Sequence, residues 1–209
     1  MSTRGIGSFK QLEPNRVVND LYAYVGKELS GFTASDEFKE NLTLKRNENH
    51  HSEILCLFLT SKCKSRFYFA RETSQKGSST VDIGVYLGTT LICTMEAKIL
   101  PTPKGTRKRP RLEHEYVHGP GAGIQRYKDE KHGLDHRNKL FDNGSMIAYV
   151  KKHDFNHWHA KINEWIKDAG WASEESLEII ELGAIGHLKS RHKRVNKSFI
   201  DLRHFWVII

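Results

Sequence analysis

Thr80 to Leu100, TVDIGVYLGTTLICTMEAKIL, sets an aspartate, a glutamate and a lysine within two apolar runs. Val81, Ile83, Val85 and Leu87 alternate with Asp82, Gly84 and Tyr86, the period of two that marks a strand with one apolar face. Gly88 and two threonines make a turn, and Leu91 to Leu100 reads as a second, mostly buried strand. Glu96 and Lys98 stand two residues apart on it, so both side chains leave from one face. If Asp82 pairs nearby, two carboxylates and an ammonium meet at one spot. Burying three charges is costly unless they satisfy one another or hold a cation. Asp and Glu oxygens suit a hard divalent ion such as Mg2+. The opposing expectation is a salt bridge at the sheet edge, since Glu-x-Lys is common by chance.

The flanks supply a longer pattern. Asn47 to Thr60 (NENHHSEILCLFLT) reads as a helix with Leu55, Phe58 and Leu59 on one face, and stepping back along that face reaches Glu48. Arg66 to Glu72 then reads as a first strand, 80 to 87 as a second and 91 to 100 as a third. A helix, a three-strand meander bearing D…ExK, a further helix and a strand resembles the PD-(D/E)xK superfamily of restriction-endonuclease-like nucleases, over roughly residues 45 to 168. Val81 stands where the name-giving proline would be. The resemblance implies an α/β fold with a restriction-endonuclease-like core, a central mixed β-sheet flanked by helices, extended by N-terminal helices and C-terminal strands. It also implies Asp82 and Glu96 as metal ligands, with Lys98 acting on the attacking water or on the phosphate. Glu48 from the first helix would complete the metal site, with Glu53 second. An ordinary first-turn carboxylate favoured by the helix dipole is the competing expectation for Glu48. Glu72 and Gln75 follow the first strand closely enough to sit beside the metal, but read first as solvated loop residues.

Downstream, Pro101 to Arg111 (PTPKGTRKRPR) is too rich in proline and charge to pack. Lys104, Arg107, Lys108, Arg109 and Arg111 are expected to contact phosphates because they follow Lys98 directly, the competing expectation being a basic solubilising loop. The glycine-rich lead-in at 119 to 123 lacks Walker spacing, so nucleotide binding is rejected. A helix opening near Ala122 would carry Gln125, Arg126 and Lys128, residue types that superfamily members place near the scissile phosphate. Met146 to Val150 reads as a fourth strand. Asp154 to Asp168 is an amphipathic helix with Phe155, Trp158, Ile162, Trp165 and Ile166 at helical spacing after an aspartate cap. His153, His157 and His159 fit no zinc spacing. Leu177 to Leu182 and Phe199 to Ile209 read as two more strands around a basic connection, in which Arg191 and Arg194 belong to a second phosphate-contacting patch.

Asn15 to Leu29 repeats Val17, Val18, Leu21, Tyr22 and Val25 on one helical face, and a second helix is expected over 33 to 44 with Ser35 as cap. Residues 1 to 44 thus form a helical extension packed on a single nuclease-like domain, 45 to 209. With 33 basic against 25 acidic residues in 209, the net charge of +8 favours an anionic partner. Cys56, Cys63 and Cys93 form no CxxC pair, the usage of reduced buried thiols in a cytoplasmic protein. No apolar run has transmembrane length, so no membrane role is expected.

The resulting expectation is a Mg2+-dependent endonuclease, with Mn2+ able to substitute, acting on nucleic acid and foremost on double-stranded DNA. By analogy with the superfamily it would serve restriction or phage (antiviral) defence, alone, as a homodimer or in a larger effector complex. The alternative is a nucleic-acid-binding subunit with the same fold, inactive without an effector partner.

Overall fold

In a computed structural model, residues 14–40, 47–64, 66–77, 79–105, 111–119 and 121–209 are described. The two strands of the opening segment pair antiparallel as β2 (Thr80–Leu87) and β3 (Thr90–Leu100), with Gly88 at φ +59° in the turn between them. That left-handed backbone suits glycine, which has no Cβ to clash. β1 (Tyr68–Ser74) pairs antiparallel with the far side of β2 and completes the meander. β4 (Asn143–Val150) runs parallel to β3, and β7 (Phe199–Ile208) parallel to β4. β6 (Gly186–Lys193) and β5 (Glu178–Leu182) then extend the sheet antiparallel, giving seven strands in the order β1-β2-β3-β4-β7-β6-β5. The chain is therefore α/β with an open mixed sheet.

Two apolar layers cover the two faces. On one, α1 (Pro14–Leu29), α2 (Asp36–Glu40) and α3 (Glu48–Lys62) pack with Cys93, Met95, Ala97 and Ile99 of β3 and Ile147 and Tyr149 of β4. On the other, α4 (Gly123–Lys128) and α5 (Phe155–Asp168) pack on Met146, Ala148, Leu188, Leu202 and Trp206. Burying Trp158 and Ile162 on that layer makes α5 a major source of stability; truncating such a tryptophan costs about 3–5 kcal/mol. Ser35 caps α2 by accepting from the Phe38 N–H at 3.2 Å, while residues 41–46 of the expected second helix lie outside the described residues. The three cysteines are free and buried.

The basic connection between the last two strands contains a strand of its own, β6, whose burial alternates strictly over Leu188 to Lys193. Leu188, Ser190 and His192 point inward, and Lys189, Arg191 and Lys193 outward. The inward residues being serine and histidine hides the period of two.

α4 is short, and its place depends on close approach. A Cβ on Gly123 would lie 2.3 Å from the Met146 methyl, and one on Gly144 2.9 Å from the Tyr127 ring. Two glycines thus let the helix settle onto β4, with Tyr127 donating to the carbonyls of Thr94 and Ser145, 3.0 Å each. This seating carries the neighbouring Arg126 to the β3 side of the sheet.

Candidate active site

The regular β2–β3 ladder ends at Ile83↔Met95, short of Glu96. Beyond it the free edge of β3 needs other partners for its N–H groups. Asp82 Oδ2 accepts the Ala97 N–H at 2.7 Å, and Glu48 Oε2 accepts the Ile99 N–H at 3.1 Å. Two carboxylates, one from β2 and one from the first turn of α3, thus replace a strand partner. Asn47 caps that turn by accepting from the His50 N–H at 2.9 Å, which fixes the helix start and Glu48 with it.

Between these anchored carboxylates lies Lys98. Its ammonium donates to Glu96 Oε1 at 2.7 Å and reaches Glu48 Oε1 at 3.5 Å. Glu96 is 1% exposed and Lys98 4%. Burial opposes the lysine's charge, but Glu96, Glu48 and Asp82 outweigh it and raise its pKa further. In this state Lys98 is a fixed cation, unable to accept a proton at neutral pH. For Asp82, burial and then the nearby Glu96 push the pKa up to about 7, against the pull of Lys98. Ionising Asp82 is thus costly in this dry, crowded spot, and a divalent cation would offset that cost.

Two arginines close the spot from opposite sides. Arg111 donates from Nη2 to Glu48 Oε2 at 3.3 Å and from Nε to Glu115 Oε2 at 2.7 Å, so Glu115 aims it. Arg126 Nη1 lies 3.4 Å from Glu96 Oε1. His132, which belongs to no motif legible in the sequence, is fully buried with Nδ1 at 3.2 Å from Glu96 Oε2. Burial, then Arg126 and Lys98, hold its pKa down to about 3. The ring is neutral, so the contact is no ion pair. Neither Glu96 Oε2 nor His132 Nδ1 has a hydrogen-bond partner.

Other expected residues fall elsewhere. Glu53 is exposed beside Arg71, and Glu72 is exposed and paired with Arg71 at 2.6 Å. Gln75 is buried, not solvated: its amide exchanges hydrogen bonds with the Leu134 N–H and C=O at 3.0 and 3.3 Å, tying down the loop that carries His132. Gln125 faces away from the carboxylates. It accepts the Gly119 N–H at 2.9 Å and lines a cavity of about 300 Å³ with Lys128, Trp171 and Glu175. Lys128 is paired with Glu175 and lies 4.1 Å from the Trp171 ring centre. Arg194 is buried and spent on main chain, donating to the carbonyls of Phe141 at 2.6 Å and Phe199 at 3.3 Å, so it offers nothing to a phosphate. Arg191 is exposed, over the Phe199 ring and 3.8 Å from Asp201. Lys104 is exposed, whereas Arg107, Lys108 and Arg109 lie outside the described residues.

A second polar cluster lies on the same face, across β7 and β6. Glu175 is ionised: burial opposes its charge, but His192 and Lys128 outweigh it and hold its pKa at about 2. It therefore accepts from His192 Nδ1 at 3.0 Å, leaving Nε2 to accept the Ser190 hydroxyl at 2.7 Å. Ser190 then accepts from His204 Nε2 at 2.7 Å, and His204 Nδ1 accepts from Tyr116 at 2.8 Å. Trp206 Nε1 donates to Tyr116 at 3.0 Å and ends the chain. Every donor finds an acceptor with both histidines neutral, in accord with their lowered pKa values, for which burial is the first cause.

Among the described residues no group of three or more His, Cys, Asp and Glu side chains is drawn together as a ready metal cage. Nor is any helix among them long and apolar enough to cross a membrane. Compared with protein-family models, curated proteins and solved structures, the chain matches none.

Proposed function

We propose that the chain is a metal-dependent nuclease of the restriction-endonuclease-like kind, hydrolysing phosphodiester bonds of nucleic acid, foremost double-stranded DNA. The observation that carries the reading is the meeting of Glu48, Asp82, Glu96 and Lys98 at the unpaired edge of β3. These come from the helix, meander and D…ExK positions that the family pattern requires, and α4 and β4 follow in its order.

The residues suit Mg2+, with Mn2+ able to substitute. Asp82 and Glu96 are hard oxygen donors, Glu96 Oε2 is buried without a partner, and Mg2+ commonly takes only one or two carboxylates plus waters and phosphate. When bound, the ion supplies a Lewis acid that acidifies water and offsets phosphate charge. Asp82 and Glu96 would hold it, with Glu48 as a neighbour already committed to Ile99 and Lys98. Lys98, held as an ammonium, stabilises negative charge developing on the phosphate. Arg111 and Arg126 lie close enough to steer the backbone, and Lys104 adds exposed charge. Restriction or phage defence, within the cytoplasm, is the setting that analogy suggests.

A second reading keeps the fold and places turnover under a partner's control. The observation favouring it is the enclosure of Glu96 and Lys98 by Arg111, Arg126 and His132, so that a phosphate gains access only when that shell opens. The test is cleavage of plasmid, linear DNA and RNA with Mg2+, Mn2+ or EDTA, comparing the native chain with Glu96→Ala and Lys98→Ala. Metal-dependent cutting that survives both substitutions overturns the site. If neither chain cuts yet both bind DNA with a steep salt slope, the partner-controlled subunit is favoured.

A further inference from the structure

Glu96 divides its two carboxylate oxygens between different kinds of neighbour. Oε1 takes Lys98 at 2.7 Å and Arg126 at 3.4 Å. Oε2 takes neither. It is buried without a hydrogen-bond partner and faces His132 Nδ1, likewise buried and unpartnered, at 3.2 Å. Unsatisfied buried polar atoms are costly, and two of them set face to face call for something between or beside them. Their spacing matches a chelate: two adjacent ligands on a six-coordinate ion with bonds of about 2.1 Å stand about 3.0 Å apart.

The placement of His132 is built. It is fully buried against the Tyr127 ring, 5.7 Å between centres, and the nearby Leu134 is pinned by Gln75. Its Nε2 lies 3.5 Å from Arg126 Nη1; ligation through Nδ1 puts the ring proton on Nε2, so this long contact gives way when an ion binds. Seating of α4 by Gly123 and Gly144 fixes the start of the same loop.

We propose that His132 Nδ1 and Glu96 Oε2 form a two-ligand bite for a transition-metal ion, with water and substrate completing its shell. The inference rests on the metal-dependent reading of the site and adds a nitrogen ligand to it. An imidazole donor shifts preference from Mg2+, which suits oxygen, toward first-row transition-metal ions, of which Mn2+ binds most weakly and stays nearest to Mg2+ in its liking for oxygen.

The test uses Mn2+ alone with the full chain, without nucleic acid. Electron spin-echo spectroscopy of the native protein should show a directly bonded 14N, and this coupling should vanish in His132→Gln. Calorimetry should find Mn2+ binding weakened about tenfold or more in that variant, with Mg2+ binding changed less. Mn2+ bound to the native chain without 14N coupling overturns the role of His132 and leaves the carboxylate reading standing. No Mn2+ binding at all overturns both. The native-chain spectrum decides the point even if the variant does not fold.

Discussion

Two buried polar clusters share one face of the sheet, and they differ in whether their hydrogen bonds close. Across β6 and β7, Trp206, Tyr116, His204, Ser190, His192 and Glu175 form a relay in which every proton has a place. At β3, Glu96 Oε2 and His132 Nδ1 are left over, Asp82 is driven toward protonation, and three carboxylates lean on one lysine. A closed network specifies structure, whereas an open one stores unmet demand that a ligand can relieve. The motif of 190 to 194 illustrates the first case at Ser190 and His192, whose polar atoms are all paired inside the fold, while Arg194 pairs Nη1 and Nη2 and leaves Nε buried and unpaired.

The largest expected effect separates the clusters by activity. Glu96→Ala should lower metal-dependent cleavage by roughly 100-fold or more, the scale of losing a transition-state contact. Ser190→Ala, assayed where it is folded, should stay within about threefold of native. Equal losses in both would erase the distinction.

Stability should not separate them in this way. Ser190→Ala strands the His204 Nε2–H and removes the donor to His192, which should cost about 2–4 kcal/mol. In a chain of this size that lowers Tm by several degrees. Glu96→Gln strips the nearest counter-charge from buried Lys98 and leaves it the longer contact to Glu48, so in metal-free buffer it should cost about 3–5 kcal/mol.

The pH dependence sharpens the contrast further because the signs oppose. Asp82 has a folded pKa of about 7, raised from its ordinary 3.8 by burial and then Glu96, so the folded state holds the proton more tightly. Its contribution is complete below about pH 4 and is lost as pH rises to 7. His192 and His204, with pKa values lowered chiefly by burial, contribute fully above their ordinary 6.5 and lose that contribution as pH falls. Asp82→Asn should therefore remove a stability loss between pH 4 and 7 of at most about 4 kcal/mol, while leaving the acid-side fall caused by the histidines. Denaturant titrations from pH 4 to 8 of native chain and variant would show it. An unchanged difference across that range would refute the strained Asp82.

How much of this could be read from sequence depends on which residues face inward. The alternation of Val81, Ile83, Val85 and Leu87 and the helical spacing of Trp158, Ile162 and Trp165 revealed their elements because apolar side chains mark the buried face. Glu96 and Lys98 were legible as neighbours because two residues along a strand return to the same face. β6 was not, since its inward positions include Ser190 and His192, which imitate a surface pattern. Arg194 and Lys128 read as free charges because their partners, the Phe141 carbonyl and Glu175, are 53 and 47 residues distant. His132 reaches Glu96 through a loop folded back over 36 residues, and no local period announces such a contact.

The smallest effect compares two helix caps of one chemistry. Asn47 accepts from the His50 N–H at 2.9 Å at the start of α3, and Asp154 from the His157 N–H at 2.8 Å at the start of α5. Replacing either by alanine should cost about 1 kcal/mol, since each strands one N–H of a first turn. Only the first of these turns bears a site residue. Glu48 holds the Ile99 N–H and Arg111 through Oε2, so fraying at Asn47 loosens one carboxylate and the arginine beside it. Asn47→Ala should therefore lower cleavage by several-fold at unchanged fold, whereas Asp154→Ala should lower Tm by a similar amount and leave cleavage as it was. A matched pair of melting curves and single-turnover rates would check this. Equal rates in the two variants would show that the edge of β3 holds Glu48 without help from its helix.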